Sequence, residues 1–250
     1  MPATLFGVPA SHPTLAAALM LEHKGIDYRR IDFAPAVHRV GLRLVGFRGR
    51  TVPALRLDGR RLQGSRRIAR ALEQLRPEPP LFPSDLDRRA AVERAEEWGD
   101  EVLQPLARRL AWAALRRDHS TIGSFLEDAR LGIPNGVAER TAAPLVYLSA
   151  SLNGASDEAA RADLAALPAY LDRVDTWIEE GVLARNERNA ADFQIATSLR
   201  LLMALDDLRP ALDERPASRL ALDVVPAFPG RVNPVVPAEW LAPLREPAAA

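Results

Sequence analysis

Four prolines fall between Pro77 and Ser84, in "PEPPLFPS", and the patterning of the chain changes on either side of them. Proline fixes φ and lacks an N–H, so neither a regular helix nor a central strand runs through such a stretch. A fold for these 250 residues therefore divides there, into 1–76, a linker at 77–84, and 85–250. That length suffices for two ordinary domains with real cores.

Before the linker both periodicities occur. Leu5, Phe6 and Val8 mark a short buried strand over 3–8, ended by Pro9. "SHPTLAAALMLEHKGI" reads as a helix, with Ser11 or His12 as N-cap, Pro13 in the first turn, where no N–H is needed, and Gly25 as the stop. Tyr28, Ile31 and Phe33 suit a second strand, which makes a βαβ unit with a parallel pair. The weakly periodic stretch 34–50 holds a loop with a short helix. Val52–Leu57, Asp58-Gly59 and Arg61–Gln63 form a hairpin, since Asp-Gly accepts the positive φ that a tight turn needs. Ser65 then opens a helix whose Ile68, Ala71, Leu72 and Leu75 share one face.

After the linker the patterning is helical. Val92, Ala95, Trp98, Val102, Leu106 and Leu110 form one stripe of a long helix, with a kink expected at Pro105. Residues 154–183 read as one or two further helices. Asn189 and Asp192 reproduce a capping box ahead of a helix apolar around most of its circumference, which places that helix centrally. The proline-rich tail is expected to wrap the surface, with Trp240 as its anchor.

Composition narrows the function. With 33 basic and 33 acidic residues the net charge is zero, so neither nucleic acid nor an anionic membrane is an expected partner. The scattered Arg pairs, Arg66-Arg67 and Arg108-Arg109 among them, read as solvated faces. There is no cysteine, so a protein-borne thiol nucleophile and thiolate metal sites are excluded. His12, His23, His38 and His119 are isolated and no metal motif occurs, so no metal is expected. No apolar run approaches a membrane span and the first residues lack a signal-peptide pattern, so a cytoplasmic location is expected.

Three stretches carry a resemblance. "LFGVPASHPTLAAALMLEHKGI", "TVPALRLDGRRLQGSRRIARAL" and "NAADFQIA", in this order and spacing, resemble the cytosolic glutathione S-transferases over nearly the whole chain. The resemblance implies an α/β thioredoxin-like N-terminal domain that binds glutathione, an all-α helical-bundle C-terminal domain, and a homodimer. It implies that Val52-Pro53 is cis, turning the Val52 backbone outward to pair with a peptide-like thiol. Ser65 and the free amides of its helix would receive the γ-glutamyl carboxylate, unless Ser65 only caps that helix. Arg50 matches a basic position that meets the glycyl carboxylate in some classes, with His38 a weaker candidate, and His12 either tunes the site or caps the helix. An acidic or amide residue usually precedes the serine in the family. Here Gly64 stands there, and Gln63 is one place early.

The resemblance makes Ser11 the catalytic candidate. It would donate a hydrogen bond that keeps a bound thiol, with a free pKa of about 8.5, ionised for attack on a hydrophobic electrophile. The alternative is that Ser11 is an N-cap alone. Val8 and Phe6 stand where other classes carry a catalytic hydroxyl and tyrosine, which closes those routes. The implied co-substrate is glutathione or a related small thiol. Transfer, isomerisation and reductive cleavage share the same thiolate, and the other reading is a binding or scaffold protein that kept the fold without the chemistry.

Overall fold

The computed structural model describes residues 3–131 and 135–245, so the expected domain limits at residues 1 and 250 lie outside the described residues. The first part runs β1 (Ala3–Gly7), α1 (His12–His23), β2 (Tyr28–Asp32), α2 (His38–Leu44), β3 (Ala54–Leu57), β4 (Arg60–Gln63) and α3 (Ser65–Leu75). The sheet order is β2-β1-β3-β4, with β1 parallel to β2 and the other pairs antiparallel. Leu5 opposes Leu55, and Leu55 opposes Leu62.

Alternation along the strands separates two faces. Leu5, Leu55 and Leu57 join the buried Ala17, Leu21, Ile68 and Leu72 of α1 and α3. Phe6 and Ala54 point the other way, onto Leu42 and Phe47 beside α2. The Phe6 ring lies between Phe33 and Phe47, at centroid distances of 6.0 and 5.6 Å. Phe6 is therefore core, consistent with its lack of a reactive hydroxyl.

Lys24, the one lysine of the chain, closes this unit onto the proline stretch. It is 1 % exposed. Its Nζ donates to Glu73 Oε2 at 2.5 Å, to Pro77 O at 3.0 Å and to Pro79 O at 2.6 Å. The Glu73 carboxylate also accepts from the N–H groups of Leu81 and Phe82, at 2.9 and 3.3 Å. Backbone groups that prolines leave without a helical or sheet partner thus find side-chain partners.

The rest is helical: α4 (Leu86–Trp98), α5 (Gln104–Arg117), α6 (Asn135–Arg140), α7 (Ala142–Leu152), α8 (Asp157–Glu179), α9 (Ala190–Met203), α10 (Arg209–Leu212), α11 (Pro216–Val224) and α12 (Ala242–Arg245). In place of the kink expected at Pro105, the irregularity is a π-helical turn just before it. This turn, over Gly99–Leu103, joins α4 to α5 without a break in helical torsions, and Pro105, the second residue of α5, follows it directly. Pro168 sits inside α8 without ending it.

The capping box that opens α9 is complete: Asn189 Oδ1 accepts from Ala191 and Asp192, and Asp192 Oδ2 accepts from the Asn189 N–H. Thirteen of the fourteen α9 residues are buried, so this helix is the axis against which the others pack. The tail pairs with the end of α9 through Val232, and Trp240 sits between the guanidinium groups of Arg117 and Arg161, each 4.5 Å from its ring.

Candidate functional site

Helix α1 starts in a cleft. Ala10, a non-glycine at φ 53°, turns the chain sharply, and Ser11 N–H closes the turn on Val8 O at 3.1 Å. Ser11 is the N-cap. Its Oγ accepts from Thr14 N at 3.4 Å and from Thr14 Oγ1 at 2.9 Å. A serine hydroxyl has two acceptor positions and one proton. With Thr14 filling the acceptors, the Ser11 proton remains free to donate. The capping role and the donor role are therefore compatible.

His12 is 3 % exposed, with Nδ1 3.1 Å from Ser198 Oγ. With the Ser198 proton given to Gln194 O, at 3.2 Å, His12 Nδ1–H is the donor; Nε2 has no partner. Burial, and then the charge of Arg108, lower its pKa to about 3. The imidazole is neutral at physiological pH.

Ser11, His12, Arg50 and Val52 line one cavity of about 330 Å³ with Val8, His38, Arg39, Arg108, Trp112 and Ser149. Its basic groups are His12, His38, Arg39, Arg50 and Arg108, and no aspartate or glutamate lines it. Among the described residues, five buried polar atoms without a partner belong to side chains of this cavity: His12 Nε2, His38 Nδ1, Arg39 Nε, Arg108 Nε and Ser149 Oγ. Burial, followed by the charge of Arg39, lowers the pKa of His38.

Gly64 and Ser65 lie outside that cavity. Pro53 is buried, the Val52–Pro53 bond is cis, and Pro53 O accepts from Gly64 N–H at 2.9 Å. Neither backbone polar group of Val52 is paired within the chain among the described residues. Gly64, at φ 91°, is the N-cap of α3 and supplies no side-chain bond. Ser65 is the first helical residue, 2 % exposed, and its hydroxyl caps nothing. Burial raises the pKa of the neighbouring Asp100 carboxyl, an effect that Arg66 and, to a lesser extent, the Ser65 hydroxyl oppose, but no group meets hydrogen-bond geometry with Ser65.

By contrast, α1, α4, α8 and α9 are each capped by a side chain, from Ser11, Asp85, Ser156 and Asn189. A second cavity, open beside Gly64, is lined by Gln63, Arg66, Arg67, Arg70 and Asp100. Gln63 is not a substitute for a residue before the serine. Its Oε1 accepts from Gly49 N at 3.0 Å and its Nε2 donates to Thr51 O at 2.7 Å, so both ends of the amide hold the loop ahead of Pro53.

Arg108 and Ser149 escaped the sequence reading. The Arg108-Arg109 pair was expected on a solvated face. Arg109 does bond Asp163, at 2.7 and 2.5 Å, but Arg108 turns into the cleft. A residue count finds the arginine; only the packing of the helices puts it in the same cavity as Ser11.

A mixed four-stranded sheet with cis-Pro before β3, joined to a helical bundle across a cleft, defines a glutathione S-transferase-like fold. Residues 5–80 match the family model of the glutathione S-transferase N-terminal domain. Solved structures of similar fold include a beta-etherase from Sphingobium sp., with a TM-score of 0.62 at 19 % identity over 89 % of this chain and 94 % of that one. A glutathione transferase from Populus trichocarpa gives 0.60 at 16 % identity, over 89 % and 92 %. A maleylacetoacetate isomerase from Anaeromyxobacter dehalogenans gives 0.54 at 22 % identity, over 100 % and 94 %. No curated protein matches in sequence. Among the described residues no cluster of His, Cys, Asp or Glu suits a metal ion, and no helix is long and apolar enough to cross a membrane.

Proposed function

We propose that the protein binds glutathione, or a related small thiol, and uses its thiolate against an electrophilic substrate held by the helical part of the cleft. The observation that carries this reading is the Ser11 hydroxyl. It caps α1 with its proton free, in a cavity that holds basic groups and no acids. A thiolate there gains a hydrogen bond and the positive end of α1, and both favour ionisation. The attack forms a carbon–sulfur bond, and the electron pair leaves with the displaced group or stays on the acceptor carbon framework to be protonated.

The unpaired Val52 backbone is suited to the ligand's own peptide group. The uncapped amides of α3, with the orphaned Ser65 hydroxyl, suit a carboxylate. Arg50, exposed at the cavity rim, is placed for the opposite carboxylate. A second reading, a binding protein without turnover, is favoured by Gly64, beside which a Cβ would meet nothing within 4 Å and which offers a ligand's amino group no side chain. Related relatives act as an etherase, a transferase and an isomerase by name, so the reaction type remains the substrate's contribution.

Isothermal titration with glutathione, beside Ser65→Ala, tests the thiol site. Micromolar-to-millimolar binding that weakens at least tenfold in the variant is expected. No heat with either protein removes glutathione as the ligand. Ser11→Ala, assayed with glutathione and an activated aryl halide, should lower kcat/KM about 10- to 100-fold; undiminished turnover assigns Ser11 to capping alone.

A further inference from the structure

We propose that the cleft selects an electrophile carrying an anionic group, such as a carboxylate, on an apolar body, and that Arg108 holds this group. The proposal rests on the thiol-transfer reading above and names the substrate class of the same site.

Helix α5 carries Arg108, Arg109, Arg116 and Arg117. Three of them are neutralised by α8: Arg109 by Asp163, and Arg116 and Arg117 by Asp157. Arg108 has no such partner. Its one bond is from Nη1 to the neutral Gln104 amide, at 3.1 Å along the same helix, and its Nε is buried without an acceptor. No carboxylate lies within ion-pair distance of it among the described residues. Burial and then the charge of Arg109 oppose its ionisation, while Asp100 acts on it only from beyond ion-pair distance. A half-buried guanidinium with no carboxylate in contact carries a desolvation cost that an incoming anion relieves, and its planar fork of donors matches two carboxylate oxygens.

The surroundings give the rest of the ligand. Ser149 of α7, 2 % exposed, brings a hydroxyl with no partner to the same cavity. Trp112, one turn along α5, continues the wall with Leu115, Ile122, Phe125 and Leu152. One charged end with apolar walls fits an acid on an aromatic or aliphatic body. The other basic groups, His38, Arg39 and Arg50, come from the chain between β2 and β3, across the cleft, where Arg50 is assigned the thiol's own carboxylate. His12 is not a competing anion receptor: burial and Arg108 keep its ring neutral, so the charge at this end resides on Arg108.

The test uses 4-chloro-3-nitrobenzoate and 4-chloro-3-nitrobenzamide, which share a ring and differ by the charge. Affinities are measured by isothermal titration without any thiol, for the native protein, Arg108→Gln, Arg108→Lys and Arg50→Gln, with circular dichroism confirming each fold. The native protein should bind the acid at least tenfold more tightly than the amide. Arg108→Gln should abolish that preference while leaving the amide within about twofold, and Arg108→Lys should restore part of it. Equal affinities in the native protein overturn the proposal, as does a preference that survives Arg108→Gln or is lost only in Arg50→Gln. A parallel glutathione titration separates the two readings. Glutathione binding without acid preference removes this proposal alone. Acid preference that depends on Arg108, without glutathione binding, supports the anion receptor and removes the thiol.

Discussion

Replacing Lys24 by Met should be among the most damaging single changes outside the cleft. The ammonium is fully buried, with its partner Glu73 16 % exposed, and it makes three charged hydrogen bonds. Removing one member of a buried ion pair typically costs about 3–5 kcal/mol. Here the lower end applies. Glu73 retains the Leu81 and Phe82 amides, and the exposed Pro77 and Pro79 can return their carbonyls to water. We therefore expect a loss of about 3 kcal/mol, a large part of the roughly 5–15 kcal/mol that holds such a protein folded. For a chain this long, that corresponds to a fall in Tm of about 6–12 °C.

Urea unfolding followed by tryptophan fluorescence, with calorimetry alongside, measures both quantities. The double variant Lys24→Met with Glu73→Gln should recover part of the loss, because it no longer leaves a carboxylate facing an apolar side chain. A single-variant loss below about 1 kcal/mol would refute the account of this clasp. It would mean that the proline stretch is held by packing of Leu81 and Phe82 alone.

His12 gives a pH prediction. Its folded pKa, about 3, lies below the ordinary 6.5, through burial and then Arg108. The unfolded chain therefore binds a proton first as pH falls, and this part of the stability is present above pH 6.5 and is lost on the way down toward 3, at about 1.4 kcal/mol per pH unit. His12→Gln should flatten that slope in urea melts. Nitrogen-detected NMR should show a neutral Nδ1–H ring from pH 5 to 8; a midpoint near 6.5 contradicts the burial argument. The dimer expected from the resemblance is checked by equilibrium sedimentation at tens of micromolar, where a monomer alone rejects it.

Local signals reached far into the fold. The Asp58-Gly59 turn and the Asn189 and Asp192 box each depend on neighbours within a few residues, and each occurs where the pattern puts it. Pro105 shows the limit. The sequence marks a disturbance at Pro105, but the irregular turn lies just before it, from Gly99, where a Cβ would meet Ile195 of α9 at 2.9 Å. Ser65 shows another: whether its hydroxyl caps the helix or stays unpaired depends on which residue takes the N-cap, and Gly64 does.

What the sequence by itself determined is the order of strands and helices in the first part and the residues at the mouths of α1 and α3. Those are short-range matters of backbone torsion, alternation and capping. The tertiary structure alone decided which face each arginine of α5 presents, that Gln63 is spent on the Gly49–Thr51 loop, and that His12 is neutral. Each of these depends on groups 12 to 186 positions apart in the chain, and on charges whose worth is set by the burial and counter-charges that packing supplies.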